Sequence, residues 1–147
     1  GCCGTMRRVA GYSGSPLLKK LGVKPESTVL LDRAPDGFSL GPELPGGVVL
    51  HSRPGRTPYD LVLAFTTARA DLTRRLPRLV ERIPANGTIW VCWPKKAAAK
   101  LTGVTTDMTE DVVREVAFPL GLVDVKVAAV DEIWSGLKLV IRLENRR

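Results

Sequence analysis

The chain has 147 residues, a formal net charge of +7, 44% hydrophobic and 25% charged residues. These figures suit one globular domain with a real core that needs no disulfide staples. No apolar run approaches the ~20 residues of a membrane span, and the N-terminal residues hold no apolar signal-peptide core, so a cytoplasmic home with no membrane contact is expected.

Charge and cysteine usage narrow the classes further. Arg7, Arg8, Lys19, Lys20, Arg146 and Arg147 place six cations near the two ends, and a net +1 remains between them. That is little for a nucleic-acid surface, so a nucleic-acid partner is not expected. Cys2 and Cys3 are adjacent, Cys92 stands alone, and His51 is the single histidine. Neither a disulfide framework nor a metal site can be built from that set. Residues 1–6 are read as a tag or disordered extension and 7–147 as a single α/β domain.

In chain order, SPLLKKLGV suggests a short helix with Ser15 as N-cap, Pro16 at N1 and Gly22 just past its end. STVLLD (27–32) is the first strand; its continuous apolar centre predicts burial on both faces. A stretch too broken by proline and glycine for a long helix leads to a second short strand, residues 48–51. YDLVLAF (59–65) is the third. In ARADLTRRLPRLVERI, residues 68–83, Leu72, Leu76, Leu79, Val80 and Ile83 share one helical face. Arg74, Arg75, Arg78 and Arg82 are assigned to the other face, and Pro77 is expected to kink or break the helix. TIWVCW (88–93) is the fourth strand, followed by a loop through Thr106 with a helical turn in its alanines. Asp107 and Glu110 read as a capping box for a helix carrying Val112, Val113, Val116 and Leu120. Residues 123–133 and 137–143 close the chain as a hairpin, with Trp134-Ser135-Gly136 as its turn and Trp134 as a candidate partner anchor.

The segments YDLVLAF, RLVERIPANGTIWVCWPK and GLVDVKVAAVDEIWSGLKLVIRLENR resemble the fourth strand, the helix, turn and fifth strand, and the closing strand pair of the Rossmann-like methyltransferase fold. This covers roughly residues 57–145. GYSGSPLLKKLGVK, WPKK and the stretch from TEDVVREV to the end are also similar to a family of small bacterial proteins catalogued only as a domain of unknown function. The expected fold is therefore α/β, three-layer and Rossmann-like: a truncated methyltransferase-like, mostly parallel sheet ending in an antiparallel hairpin. The resemblance implies S-adenosylmethionine, but the loop Asp32-Arg33-Ala34-Pro35-Asp36-Gly37 has one glycine where close backbone approach needs several. His51-Ser52-Arg53 stands where a carboxylate for the ribose would be. No cofactor is carried over.

Ligands of such sheets bind beyond the C-terminal ends of the strands. Those ends carry Arg33 and Asp36; His51, Ser52, Arg53 and Arg56; Thr66, Thr67 and Arg69; and Trp93, Lys95 and Lys96. The expected site is an anion-binding rim for a phosphate or nucleotide, formed by Arg33, Arg53, Thr66, Arg69, Lys95 and Lys96. No catalytic group is assigned: His51 lacks a carboxylate partner, Asp32 and Asp36 read as turn residues, and Cys92 lies in a buried strand. The function expected is a non-catalytic interaction or regulatory module, with a small-anion binder as its alternative and an enzyme held less favoured. A protein partner is expected, and the exposed final hairpin could pair across a two-fold axis as a homodimer.

Overall fold

A computed structural model describes residues 16–40, 44–55 and 58–145. The leading extension, the Ser15 cap, Arg56 and the final two arginines lie outside the described residues. A six-stranded sheet organises the chain. Its strands are β1 (Thr28–Asp32), β2 (Val49–His51), β3 (Leu61–Phe65), β4 (Thr88–Pro94), β5 (Leu122–Ala129) and β6 (Trp134–Ile141). Their spatial order is β2-β1-β3-β4-β6-β5. The first four pair in parallel, and β6 joins β4 and β5 antiparallel, so the expected fold class is the observed one.

Helix α1 (Pro16–Leu21) precedes the sheet, α2 (Arg69–Val80) connects β3 to β4, and α3 (Lys96–Thr102) and α4 (Glu110–Ala117) lie between β4 and β5 in the chain. On one face, Leu72, Leu76 and Leu79 of α2 and Val113 and Ala117 of α4 pack against Leu30, Val62, Ile89 and Leu139. On the other, Leu18 and Leu21 of α1, with Leu40 and Val130, cover Val29, Leu63 and Trp90. Every residue of β3 is buried, which is why YDLVLAF shows no alternation.

Several local expectations are corrected. Trp134-Ser135-Gly136 is not the hairpin turn but the start of β6. The turn is residues 130–133, where the Asp131 carboxylate accepts from the backbone N–H groups of Ile133 and Trp134 at 2.8 and 2.7 Å. Gly136 serves close packing instead: a Cβ there would fall 3.0 Å from Trp90 Cε3 and from Val130 Cγ2. The alanine run forms the full helix α3 rather than one turn in a loop. Thr109, not Asp107, caps α4, its hydroxyl accepting from Val112 N–H at 3.2 Å. Asp107 reaches across to cap α2, accepting from Arg69 N–H at 2.8 Å, since Ala68 has no side chain for that job. Helix α2 continues through Pro77 without a break.

The largest correction concerns Arg75. It was assigned to the solvated face of α2, but it is buried. It lies three residues after Leu72 and four before Leu79, so helical spacing puts it on the same inner face.

Candidate functional site at the sheet switch

The connections of β1 and β3 leave on opposite sides of the sheet. After β1 the chain sends Phe38, Leu40 and Leu44 into the core on the α1 side. After β3 it enters α2, whose leucines pack on the other side. Neighbouring parallel strands that diverge in this way open a crevice beyond their C-terminal ends, the place where ligands of open α/β sheets bind.

Arg75 spans the floor of this crevice. Its guanidinium donates to the Asp32 carboxylate at 2.5 Å, to the Asp71 carboxylate at 2.5 Å and to the Phe65 carbonyl at 2.8 Å. The side chains of Arg75 and Asp32 are 9% and 10% exposed, so this ion pair is out of bulk water. One guanidinium thereby ties the ends of β1 and β3 to the first turn of α2. Asp71 also accepts from Arg33 at 3.3 Å, Arg74 at 3.0 Å and the Thr66 hydroxyl at 2.9 Å. Burial pushes the Asp71 carboxyl up, but the hydrogen bonds from Arg75 and Thr66 and the charges of Arg75 and Arg33 outweigh it, and its pKa lies below the ordinary value. Asp71 also sits in the first turn of α2, as its place near the helix N-terminus suggests. Arg33 adopts φ +57°, the left-handed region, which costs a non-glycine residue about 1–2 kcal/mol and is often found at functional sites.

Two cavities share this edge. One, of about 270 Å³, lies between Arg33, Phe65, Thr66, Thr67, Asp71 and Trp134. The Trp134 and Phe65 rings meet edge to face at 5.2 Å on its wall. The other, of about 390 Å³, lies over the end of β2, between Asp32, Arg33, Ser52, Arg53, Arg75 and Arg78. The loop that carries Ser52 and Arg53 is pinned. Buried Tyr59 sets its hydroxyl 2.8 Å from His51 Nδ1 and accepts from Gly55 N–H at 2.7 Å, while Arg82 donates to the Gly55 carbonyl at 2.8 Å.

The expected rim is thus divided. Arg33 and Arg53 line the larger cavity, and Arg33 and Thr66 the smaller. Arg69 turns away to Glu115 of α4 at 2.5 Å. Lys95 is fastened to the hairpin turn, its Nζ donating to the Asp131 carbonyl at 2.8 Å. Lys96 opens α3 and lines a separate hollow with Lys100 and Val104. The contact of Lys95 and Lys96 with Arg53 and Arg69 across one cleft does not form. Asp32 is not a turn residue but the last residue of β1. Sequence reading missed Arg75, Asp71 and Arg78 here; the spacing of Arg75 was the available signal. Cys92 is fully buried, and burial, with the Asp131 charge, pushes its thiol far above the ordinary range, so it is no nucleophile.

No family model matches the chain, and no curated protein sequence matches it. Solved structures do resemble it. Magnesium protoporphyrin IX methyltransferase from Synechocystis PCC 6803 with bound SAM superposes with a TM-score of 0.55 at 8% identity, over 86% of this chain and 74% of that one. Ribosomal protein L11 methylase from Lactobacillus delbrueckii subsp. bulgaricus gives 0.54 at 12% identity, over 86% and 75%. LepI in complex with SAM gives 0.53 at 15% identity, over 92% and 49%. The chain thus spans only about half the length of some proteins it resembles. At these identities the likeness shows the fold, which is that of the methyltransferases. It also overturns the expectation of a non-catalytic module, with its passive-binder alternative: the structures sharing this sheet are those of enzymes, two of them with SAM bound. Among the described residues, no helix is long and apolar enough to cross a membrane.

Proposed function

We propose that the chain is a catalytic domain of methyltransferase type, with its reaction crevice beyond the C-terminal ends of β1 and β3. The observation that carries this reading is the divergence of the two connections over a floor organised by Arg75, Asp32 and Asp71. Of the expected rim, Arg33, Arg53 and Thr66 are retained as ligand contacts.

S-adenosylmethionine accompanies this fold, and the described residues meet it at one end only. Arg33 could take its carboxylate and Asp32 Oδ1, which receives no hydrogen bond among the described residues, its ammonium. The adenosyl end finds no carboxylate at the end of β2, where His51 faces Tyr59 and Arg53 and Arg78 bring two more positive charges. For a ligand that is itself cationic at sulfur, these residues do not fit, and no methyl-transfer step is derived. A structure described as a pericyclic reaction enzyme matches the same sheet with a TM-score of 0.52 at 15% identity. It supports the reading that the sheet serves more than one class of reaction.

The test is an NMR titration of the chain with S-adenosylhomocysteine and with a panel of small metabolites. Shifts centred on Arg33, Thr66 and Asp71 support a reaction crevice at this edge. Shifts only elsewhere, or none with any compound, overturn it. Membership of the small bacterial family of unknown function and a cytoplasmic home belong to the same proposal. The first is supported by the segments quoted above, and loss of the family's segment pattern in close homologues would count against it.

A further inference from the structure

On the floor of the crevice every arginine is paired with a carboxylate, whereas over β2 two arginines have none among the described residues. The Arg75 charge is met by Asp32 and that of Arg33 by Asp71. Arg53 and Arg78 line the same cavity of about 390 Å³ with no side-chain partner among the described residues. Ser52 adds a hydroxyl, and Leu79 and Pro54 add an apolar wall. Two guanidiniums without carboxylates are matched by a ligand group of charge −2, because Arg forks pair bidentately with planar or tetrahedral oxyanions. The backbones that carry them are held: Arg53 sits on the loop pinned by Tyr59 and Arg82, and Arg78 rises from a packed helix, so only the two exposed side chains are left to order on binding.

We infer that this cavity holds a dianionic group of the substrate, gripped by Arg53 and Arg78, beside the reaction crevice. The inference rests on the catalytic reading only for calling the bound molecule a substrate. Two sources share the chemistry: a phosphate monoester and a dicarboxylate.

The experiment titrates the full chain, at one ionic strength, with phenyl phosphate, malonate, benzenesulfonate and acetate. Dianions are expected to bind about tenfold or more tighter than the monoanions, with shifts at Ser52, Arg53 and Arg78. If the natural group is a phosphate monoester, phenyl phosphate outbinds malonate and weakens as pH falls through its second ionisation near about 6. If it is a dicarboxylate, malonate wins. Arg53→Ala and Arg78→Ala should each weaken the tighter dianion about tenfold, and Lys96→Ala should leave it unchanged. Equal binding of dianions and monoanions, or retention of affinity in the Arg53→Ala/Arg78→Ala double variant, overturns the inference. Failure of the methyltransferase-type reading shows up separately, as the absence of shifts at Thr66 and Asp71 with every compound.

Discussion

In the crevice between β1 and β3, both carboxylates meet arginines: Asp32 meets Arg75, and Asp71 meets Arg33, Arg74 and Arg75. In the cavity over β2, on the same edge, Arg53 and Arg78 meet none among the described residues. The first region spends its charge on holding two strands and a helix together. The second leaves its charge facing solvent. Arginines that look alike in the sequence therefore divide into a framework set and a set free to act on something outside the molecule.

The most severe way to break that distinction is to remove Arg75. Arg75→Leu leaves Asp32 buried without its partner and should cost about 3–5 kcal/mol, read as a lowered urea midpoint. The double variant Asp32→Leu/Arg75→Leu should recover most of that loss, because an apolar pair replaces an ion pair at little net cost. A double variant as unstable as the single one would mean that Arg75 acts mainly through Asp71 and the Phe65 carbonyl. Next comes the cap between elements: Asp107→Ala exposes Arg69 N–H and should lower stability by about 1 kcal/mol.

Acid sharpens the comparison from the other direction. The Asp71 carboxyl titrates below its ordinary 3.8 in the folded chain, so its contribution is present above that pH and is lost as pH falls through the lower folded value. Thermal melts of the wild type and Asp71→Asn should differ near neutrality and converge as pH falls through that lowered folded-state value. The smallest effect is expected over β2. Arg53→Ala and Arg78→Ala should each change stability by less than about 0.5 kcal/mol, since neither side chain has a partner to lose among the described residues. A large loss there would move them into the framework set.

Much of the fold was legible because burial writes itself in apolar runs. The unbroken LVLAF of β3 and the strand through Trp90 and Cys92 both announced central strands buried on both faces. What misled was residue chemistry read without its neighbours. Gly136 looked like a turn residue, yet its missing side chain makes room for the Trp90 ring. Asp107 looked like the cap of the helix after it but serves the N-terminus of α2, 38 residues earlier. The site was legible only in outline. Strand ends pointed to Arg33, Arg53 and Thr66, which do line cavities at this edge, but no local pattern could say that Lys95 would be held by Asp131 or that Arg69 would turn to Glu115. Those pairings belong to tertiary contacts between distant segments.

The sheet's outer margins decide what it can recruit. At one side β2 has three residues. At the other, β5 shifts register between Asp124 and Lys126, leaving Val125 outside the ladder, with Val125 and Val127 half exposed. A straight, uninterrupted margin is a template for another chain's backbone, and a short strand or a kinked, lysine-bearing one is a poor template. The molecule can thus carry half-exposed valines on both margins and still resist growing into a fibril, and straightening β5 by deleting Val125 would be the change that removes this safeguard.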